Sequence, residues 1–326
     1  MLRVGIIGCG FMGTMHANCY KKIEGAEIVA LADIRSECAK KLAQGTNAKI
    51  YGDGMDLIND AQLDIIDICL PTYMHSTYAI AAMDKVKYVF VEKPVALTKQ
   101  QAAEMISKAQ ETKANVQVGQ VIRFWDEYVE LEKIVKSGIY GKVINANFRR
   151  ISPIPTWGWQ DWLLKAELSG GAAQDLHIHD IDYVLSLFGK PNCMKSVKNI
   201  IGQEASYINS LLSYDDFVVG VEGTWGLPDS HPFEATFRVV FEKGVVENAG
   251  GKFMLYTDGK AEEIKLEKPE DLGEGFEGGN VSDLGGYYNE LVYFTSCAKQ
   301  GKPVEKATVK QAEESLSFVL DEIKNA

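Results

Sequence analysis

Leu2-Arg3-Val4-Gly5-Ile6-Ile7-Gly8-Cys9-Gly10-Phe11-Met12-Gly13 decides the fold. An apolar run of strand length leads into Gly-x-Gly-x-x-Gly, and a helical stretch at 12–23 follows. A second apolar run at 27–32 ends at Asp33, 20 residues beyond Gly13. Each part has a physical task. Gly8 permits the tight turn, Gly10 lets a pyrophosphate approach the backbone, and Gly13 lets the helix pack close to the strand. The helix N-terminus then faces the phosphates. Asp33 is placed to accept hydrogen bonds from the adenosine ribose hydroxyls. Its carboxylate favours NAD, because a 2′-phosphate would meet a like charge. Arg35 and Ser36 stand two and three residues on, where they could hold that phosphate, so NADP is the second candidate.

Working outward, further apolar runs at 64–70, 87–91 and 115–119 alternate with helical stretches at 75–83 and 98–112. Short continuous apolar runs are what strands covered on both faces look like. Alternating βαβ units predict a doubly wound parallel sheet with right-handed crossovers. The pattern changes after residue 120. A helix is expected at 125–137, an extended segment at 142–150, then a Trp-rich loop and a second helix ending at Gly189 with Pro191 beyond it. From 196 to 266 the chain reads as strands broken by turns such as Glu242-Lys243-Gly244 and Thr257-Asp258-Gly259. Residues 267–286 are acidic and Gly-rich, either a mobile loop or lid or a plain surface excursion. Helices at 287–299 and 308–324 close the chain. The expected domains are therefore 1–120, a dinucleotide-binding α/β domain, and 121–326, an α+β domain with a largely antiparallel open sheet.

The 326 residues suit two domains. With 46% hydrophobic and 24% charged residues, the chain has ordinary globular composition. A net charge of −11 argues against a nucleic-acid partner, which needs clustered Lys and Arg. Cys9, Cys19, Cys38, Cys69, Cys193 and Cys297 lack paired spacing, as expected of reduced thiols in a cytoplasmic protein. No signal peptide opens the chain. No apolar run approaches the roughly 20 residues of a membrane span.

Two further stretches carry chemistry. The strand near 87–91 ends in Glu92-Lys93-Pro94, and Pro94 restricts Lys93 to an extended or turn conformation. Lys93 then either reaches the crevice at the carboxyl edge of the sheet, where it can stabilise a developing alkoxide, or is a solvated strand-end lysine. The strand ending at Leu70 runs into Pro71-Thr72-Tyr73-Met74-His75. Thr72 and His75 would line the cofactor channel, with a helix-start surface position the alternative for His75. The candidate cofactor set is Gly8, Gly10, Phe11, Met12, Gly13, Asp33, Arg35, Leu70, Pro71, Thr72, His75, Glu92, Lys93 and Gln120.

In the second half, Ala172-Ala173-Gln174-Asp175-Leu176-His177-Ile178-His179-Asp180-Ile181-Asp182 spaces Asp175, His179 and Asp182 by four and three, on one face of a helix. Two carboxylates and an imidazole on one face are acid–base equipment. His177, two positions from His179, cannot share a ligand with it on a helix and falls near the apolar stripe of Ile181, Val184, Leu185 and Phe188. We read it as a packed core histidine; no metal is expected. Trp157, Trp159 and Trp162 could stack on sugar faces or serve as ordinary packing.

Together these residues resemble the glucose–fructose oxidoreductase/inositol dehydrogenase/MocA family. The marks are Gly8–Gly13, Asp33, the Pro71-Thr72…His75 turn, Glu92-Lys93-Pro94, and Gly170-Gly171-Ala172…Asp175…His179…Asp182. The resemblance covers essentially the whole chain. It implies an N-terminal Rossmann domain holding NAD(P) and a C-terminal domain whose open sheet often makes the oligomer interface, so a homodimer or homotetramer is expected. It maps the family's catalytic lysine, aspartate and histidine to Lys93, Asp175 and His179, and its substrates to pyranoses, cyclitols or their derivatives. By analogy Arg123 lies near the substrate, with a salt bridge at the domain junction the alternative. The candidate substrate set is Lys93, Arg123, Trp162, Asp175, His179 and Asp182. Asp182 would bind a second hydroxyl or support His179.

The reading that follows is an NAD-dependent sugar or cyclitol dehydrogenase. One rival is a glycosidase-type enzyme that oxidises its sugar transiently and regenerates its own NAD. Another is a non-catalytic NAD-binding sensor, which would need no acid–base face. Cys9 between the first two glycines departs from the pattern, and its oxidation would be expected to block the cofactor.

Overall fold

A computed structural model of the chain describes residues 1–201, 204–266 and 284–326. The stretch 267–286, read above as a loop or lid, lies largely outside the described residues.

Six parallel strands form the first sheet: β1 (Leu2–Ile7), β2 (Ala26–Ala32), β3 (Lys49–Tyr51), β4 (Ile65–Ile68), β5 (Tyr88–Val91) and β6 (Asn115–Val118). Their order is β3-β2-β1-β4-β5-β6. This is a dinucleotide-binding order, with its switch point between β1 and β4. Strands β4 and β5 are buried at every position, β5 with an unbroken apolar run and β4 with Asp67 among its isoleucines. The edge strand β3 has no such run, because only Tyr51 of its three residues is buried, and so the apolar pattern did not mark it. Helices α1 (Phe11–Tyr20), α2 (Ser36–Leu42), α3 (Gly54–Asp60), α4 (His75–Met83) and α5 (Lys99–Thr112) connect the strands. Thr98 and Gln101 close a reciprocal capping box at the start of α5.

The second sheet has eight strands: β7 (Val143–Pro153), β8 (Cys193–Ile201), β9 (Glu204–Ser213), β10 (Val218–Leu227), β11 (Glu234–Phe241), β12 (Gly244–Ala249), β13 (Lys252–Thr257) and β14 (Lys260–Glu263). Their order is β14-β13-β12-β11-β7-β10-β9-β8. All pairs are antiparallel except β7 with β10. Helices α6 (Asp126–Ser137), α7 (Ala166–Ser169) and α8 (Ile178–Phe188) belong to this half of the chain, and α9 (Gly285–Gln300) and α10 (Val309–Asn325) close it.

The two compact units do not follow a linear cut after residue 120. The first extends to Phe124 and also takes helix α9; the second begins at Trp125 and takes Ser315–Ala326. Apolar contact explains the return of α9. Its Phe294 lies edge-on to Phe90 of β5 (ring centroids 5.4 Å apart) and to Tyr88 (6.1 Å). A face of the parallel sheet left open by the first 120 residues is thus covered by a helix far along the chain. No helix among the described residues is long and apolar enough to cross a membrane.

Candidate active site

The glycine loop has the stereochemistry the fingerprint demands. Gly8 has φ +94°, and a Cβ there would lie 2.5 Å from the Cys69 carbonyl oxygen. A Cβ on Gly13 would lie 1.8 Å from the Gly8 carbonyl oxygen, so no side chain fits. Around Gly10 the nearest atom to such a Cβ is the tip of Arg35, at 3.4 Å, which leaves the backbone open to a phosphate. Phe11 and Met12 form the first turn of α1, which starts at Gly10.

Asp33, at the end of β2, is buried and ties the loop together. Its carboxylate accepts hydrogen bonds from the Cys9 N–H (2.8 Å), the Arg35 N–H (2.7 Å) and Arg35 Nε (3.3 Å). Arg35 is therefore already engaged with Asp33. The Cys9 thiol is buried, and burial followed by the neighbouring Asp33 pushes its pKa up to about 12. Oxidation proceeds through thiolate, so this burial disfavours the oxidative block expected at Cys9.

Leu70 and Pro71 lead into a single turn, Thr72–Met74. Thr72 is buried, and its hydroxyl has no hydrogen-bond partner. Gln120 is fully buried just beyond β6, and its amide is equally unpartnered. Orphaned buried polar groups need an explanation. Beside a glycine cradle that admits no side chain, a polar dinucleotide supplies one, and the residues present fit NAD. His75 differs from expectation. It is 1% exposed, so the surface alternative is excluded. Its Nδ1 lies 2.7 Å from the Pro94 carbonyl oxygen and its Nε2 2.7 Å from that of Leu70. Burial lowers its pKa against the pull of the two carbonyls. His75 is thus a brace between the turns that follow β4 and β5.

Lys93 is half-buried at the end of β5, and its peptide bond to Pro94 is cis. Glu92 is buried, and its carboxylate accepts the Lys93 N–H at 3.1 Å. Arg123 is buried in a short turn at Val121–Phe124 and donates to Gln311 Oε1 at 3.2 Å.

In the second unit, Gly170 and Gly171 have φ +78° and +69°. A Cβ on Gly170 would meet the Gln174 side chain at 2.3 Å. The Ser169 hydroxyl pins this turn, donating to the Leu163 carbonyl (2.7 Å) and accepting from the Gly171 N–H (3.0 Å). A π-helical turn, Ala173–His177, then feeds α8. The wider turn sorts the polar residues differently from a uniform helix. Three face inward onto polar partners. Asp180 forms a buried ion pair with Arg150 (Nε–Oδ2 2.8 Å; Nη2–Oδ1 3.2 Å). His177 Nε2 lies 3.3 Å from a carboxylate oxygen of Glu322, both side chains fully buried. Asp182 is completely buried and accepts from Ser315 Oγ at 2.7 Å. Asp175 remains half-buried, and His179 keeps 9% exposure. The core placement of His177 is as expected, but its ionic partner is not apparent in the local sequence. Of the two roles expected of Asp182, a second substrate hydroxyl or support of His179, its complete burial disfavours the first.

Trp162 packs half-buried against the cluster of Leu163, Ala172 and Trp225 beside the π-turn. Trp157 and Trp159 are more exposed, at 49% and 36%. Between Trp159 and Trp162, Gln160 and Asp161 both sit at φ 54°, the left-handed region that non-glycine residues enter only under constraint.

A glycine cradle, a buried carboxylate at the end of β2 and a Rossmann strand order define the class: a protein with an NAD-binding Rossmann domain. The comparisons place it within that class. Residues 2–120 match the model described as an oxidoreductase family with NAD-binding Rossmann fold, and residues 128–247 the GFO/IDH/MocA C-terminal domain. The chain belongs to the glucose–fructose oxidoreductase/inositol dehydrogenase/MocA family. A myo-inositol 2-dehydrogenase of Thermotoga maritima is 31% identical over 192 residues, 58% of this chain and 55% of that protein. An inositol 2-dehydrogenase of Salmonella typhimurium is 30% identical over 232 residues, 69% and 65% respectively. The matches thus span between about half and two thirds of these relatives. A levoglucosan dehydrogenase structure, in complex with NADH and levoglucosan, superposes with a TM-score of 0.85 at 19% identity, covering 100% of this chain and 97% of that one; at that identity it shows the fold alone.

Proposed function

We propose that this protein is an NAD-dependent dehydrogenase acting on a secondary hydroxyl of a sugar or cyclitol. The observation that carries the reading is the sorting of the polar helix. His177, Asp180 and Asp182 are wholly buried, while Asp175 and His179, the residues the family resemblance assigns to catalysis, keep the greater exposure. In the oxidation direction His179 takes the hydroxyl proton as general base, a task suited to imidazole. Asp175, at the π-turn, orients the ring and stabilises its cation. Lys93 positions the hydroxyl and stabilises partial negative charge on its oxygen. NAD, when bound, supplies the hydride acceptor. Gly8, Gly10 and Gly13 would hold its pyrophosphate, Asp33 its ribose, and Thr72 and Gln120 its further polar groups. Inositol dehydrogenases among the relatives support a polyol substrate, and Trp162, Arg123 and the two exposed tryptophans are the side chains assigned to its ring and remaining hydroxyls.

The test is nicotinamide absorbance against a panel of cyclitols, aldoses, aminosugars and sugar acids, with NAD and NADP in parallel. Turnover with one polyol supports the reading. Tight NADH binding with no turnover on any of them favours the cofactor-recycling enzyme or the sensor.

We assign a homodimer or homotetramer to the outer face of the eight-stranded sheet, where Val197, Leu211 and Tyr256 are 61%, 50% and 38% exposed. Light scattering on the purified protein checks it. The six cysteines are unpaired, in keeping with a reducing cytoplasm.

A further inference from the structure

The first unit holds a polar cluster that the proposed reaction does not use. His16 lies on α1, Asp67 on β4, Glu92 at the end of β5 and Glu290 on α9. All are essentially inaccessible. His16 Nδ1 is hydrogen-bonded to Asp67 Oδ2 at 2.8 Å, and its Nε2 lies 3.0 Å from Glu92 Oε1, a close ionic contact without hydrogen-bond geometry. Oxygens of Glu92 and Glu290 and the His16 Nε2 all lie within 4.8 Å of one another. Both oxygens of Glu290 are buried without a hydrogen-bond partner. The space around them is tight: a Cβ on Gly119 would lie 2.9 Å from the Glu92 carboxylate. The groups that face Glu290 are His16 and Cys19 from α1, Asp67 from β4, Glu92 just past β5 and Gln117 from β6 (its amide approaches the Glu290 backbone carbonyl at 3.5 Å); Tyr20 of α1, Cys69 just past β4 and Tyr287 of α9 stand around His16 and Asp67.

Three carboxylates around one imidazole cannot all be charged in a dry core. Burial would lower the pKa of His16, but Asp67 first and Cys69 after it outweigh burial and raise it well above the usual histidine value. Burial and the adjacent Glu92 raise that of Glu290, against the opposing pull of His16. The arrangement with least uncompensated charge is an imidazolium between two carboxylates, Asp67 and Glu92, with Glu290 as a neutral acid.

We propose that His16, Glu92 and Glu290 form a positioning device for Lys93: Glu290 holds a proton against Glu92, His16 bridges Glu92 to Asp67, and together they fix the carboxyl group that accepts the Lys93 N–H. The device reaches Lys93 through the hydrogen bond that the Lys93 N–H donates to Glu92, so it governs where the strand end points. It rests on the assignment of Lys93 to the cofactor and substrate site. The trio also resembles a carboxylate–histidine metal set, with Asp67 orienting the ring; metal content is therefore part of the test.

The experiment compares the full chain with Glu290→Gln and Glu290→Leu. Infrared difference spectra at neutral pH should show the carbonyl stretch of a protonated carboxylic acid that Glu290→Gln removes. Because the folded chain keeps a proton that the unfolded chain releases above the ordinary carboxyl range, this group lowers the wild-type folding constant by up to tenfold per pH unit as pH rises toward its folded value. Glu290→Gln lacks that loss, so its thermal midpoint relative to wild type should climb with pH. For positioning, NADH titration should find Glu290→Gln within about twofold of wild type at neutral pH and Glu290→Leu at least tenfold weaker. Wild-type affinity should fall at alkaline pH where that of Glu290→Gln does not. Absence of the acid band, parallel stability curves, or a stoichiometric metal in the purified protein overturns the proposal. Equal NADH affinity for all three proteins overturns the positioning role. Failure of the polyol reading alone would appear as no turnover, with the acid band and the NADH profiles still as expected.

Discussion

Asp33 offers the sharpest test of the cofactor end. Its carboxylate has two kinds of work. It accepts the Cys9 and Arg35 N–H groups, which holds the glycine loop to β2, and it is assigned the adenosine ribose. Asp33→Ala removes both; Asp33→Asn keeps one acceptor oxygen and removes the charge. A hydrogen bond to a charged group contributes about 1.5–3 kcal/mol, so loss of one ribose bond lowers NADH affinity by about ten- to a hundredfold. Loosening of the loop adds a loss common to NADH and NADPH, and therefore cancels in their ratio. The charge acts in the opposite sense on NADPH. A phosphate about 4 Å from a carboxylate is repelled by about 4 kcal/mol per charge pair at an effective dielectric of 20, and removing the carboxylate also frees Arg35 from its 3.3 Å contact. Asp33→Ala and Asp33→Asn should thus shift the NADH-to-NADPH affinity ratio by at least tenfold toward NADPH. Fluorescence titration with both reduced cofactors, on variants shown by circular dichroism to be folded, measures it. Equal losses for the two cofactors would refute the ribose assignment.

Gly13→Ala must move a Cβ away from a carbonyl oxygen at 1.8 Å and should abolish NADH binding; a variant that binds normally would contradict the cradle. With the substrate found in the panel, Lys93→Met and His179→Asn should each lower kcat/KM by about 10²–10⁴; NADH affinity should change only a few-fold in His179→Asn but fall at least tenfold in Lys93→Met. Arg150→Met strands the buried Asp180 carboxylate and should lower stability in urea by about 3–5 kcal/mol; a change below about 1 kcal/mol would mean that Asp180 finds another partner. With its pKa near 12, Cys9 is thiolate in only about one molecule in ten thousand at pH 8, so a thiol reagent should label exposed Cys193 quickly and Cys9 only on unfolding.

The parallel sheet was legible because its information is local. Gly8, Gly10 and Gly13 report backbone constraints within one turn, and β5 announces burial on both faces by an unbroken apolar run. Edge strand β3 escaped, since an exposed edge demands few apolar residues. The return of α9 to the first unit escaped for another reason: Phe294 and Tyr287 read as an ordinary amphipathic helix, and nothing in their spacing names the face they cover. One signal was present and passed over. Asp67 interrupts Ile65-Ile66-Asp67-Ile68, and a charge inside a fully buried strand demands a partner. That partner, His16, stands three residues after Gly13, on the helix that the fingerprint opens.

The polar helix shows where spacing stops informing. Asp175, His179 and Asp182 share a face on a uniform helix, but the π-turn at Ala173–His177 shifts the phase between the first of them and the others. More telling is the partnership of each charge. Arg150 comes from β7, while Ser315 and Glu322 come from α10, more than 130 residues downstream of Asp182 and His177. A sequence reports that an Asp or His lies on a helix; only the fold reports whether its hydrogen-bonding capacity is already taken. Where a buried partner takes it, as for Asp180, the side chain is part of the scaffold, and its loss should appear in stability. His179, which keeps some exposure, is where loss should appear in turnover. The same distinction separates Lys93, half-buried at a strand end, from Glu92 beside it, whose carboxylate is enclosed by His16, Gly119 and the Lys93 backbone. On the proposed roles, Lys93 is assigned to the ligand and Glu92 to holding Lys93 in place, and the two should be separable by measuring stability and cofactor affinity on the same set of variants.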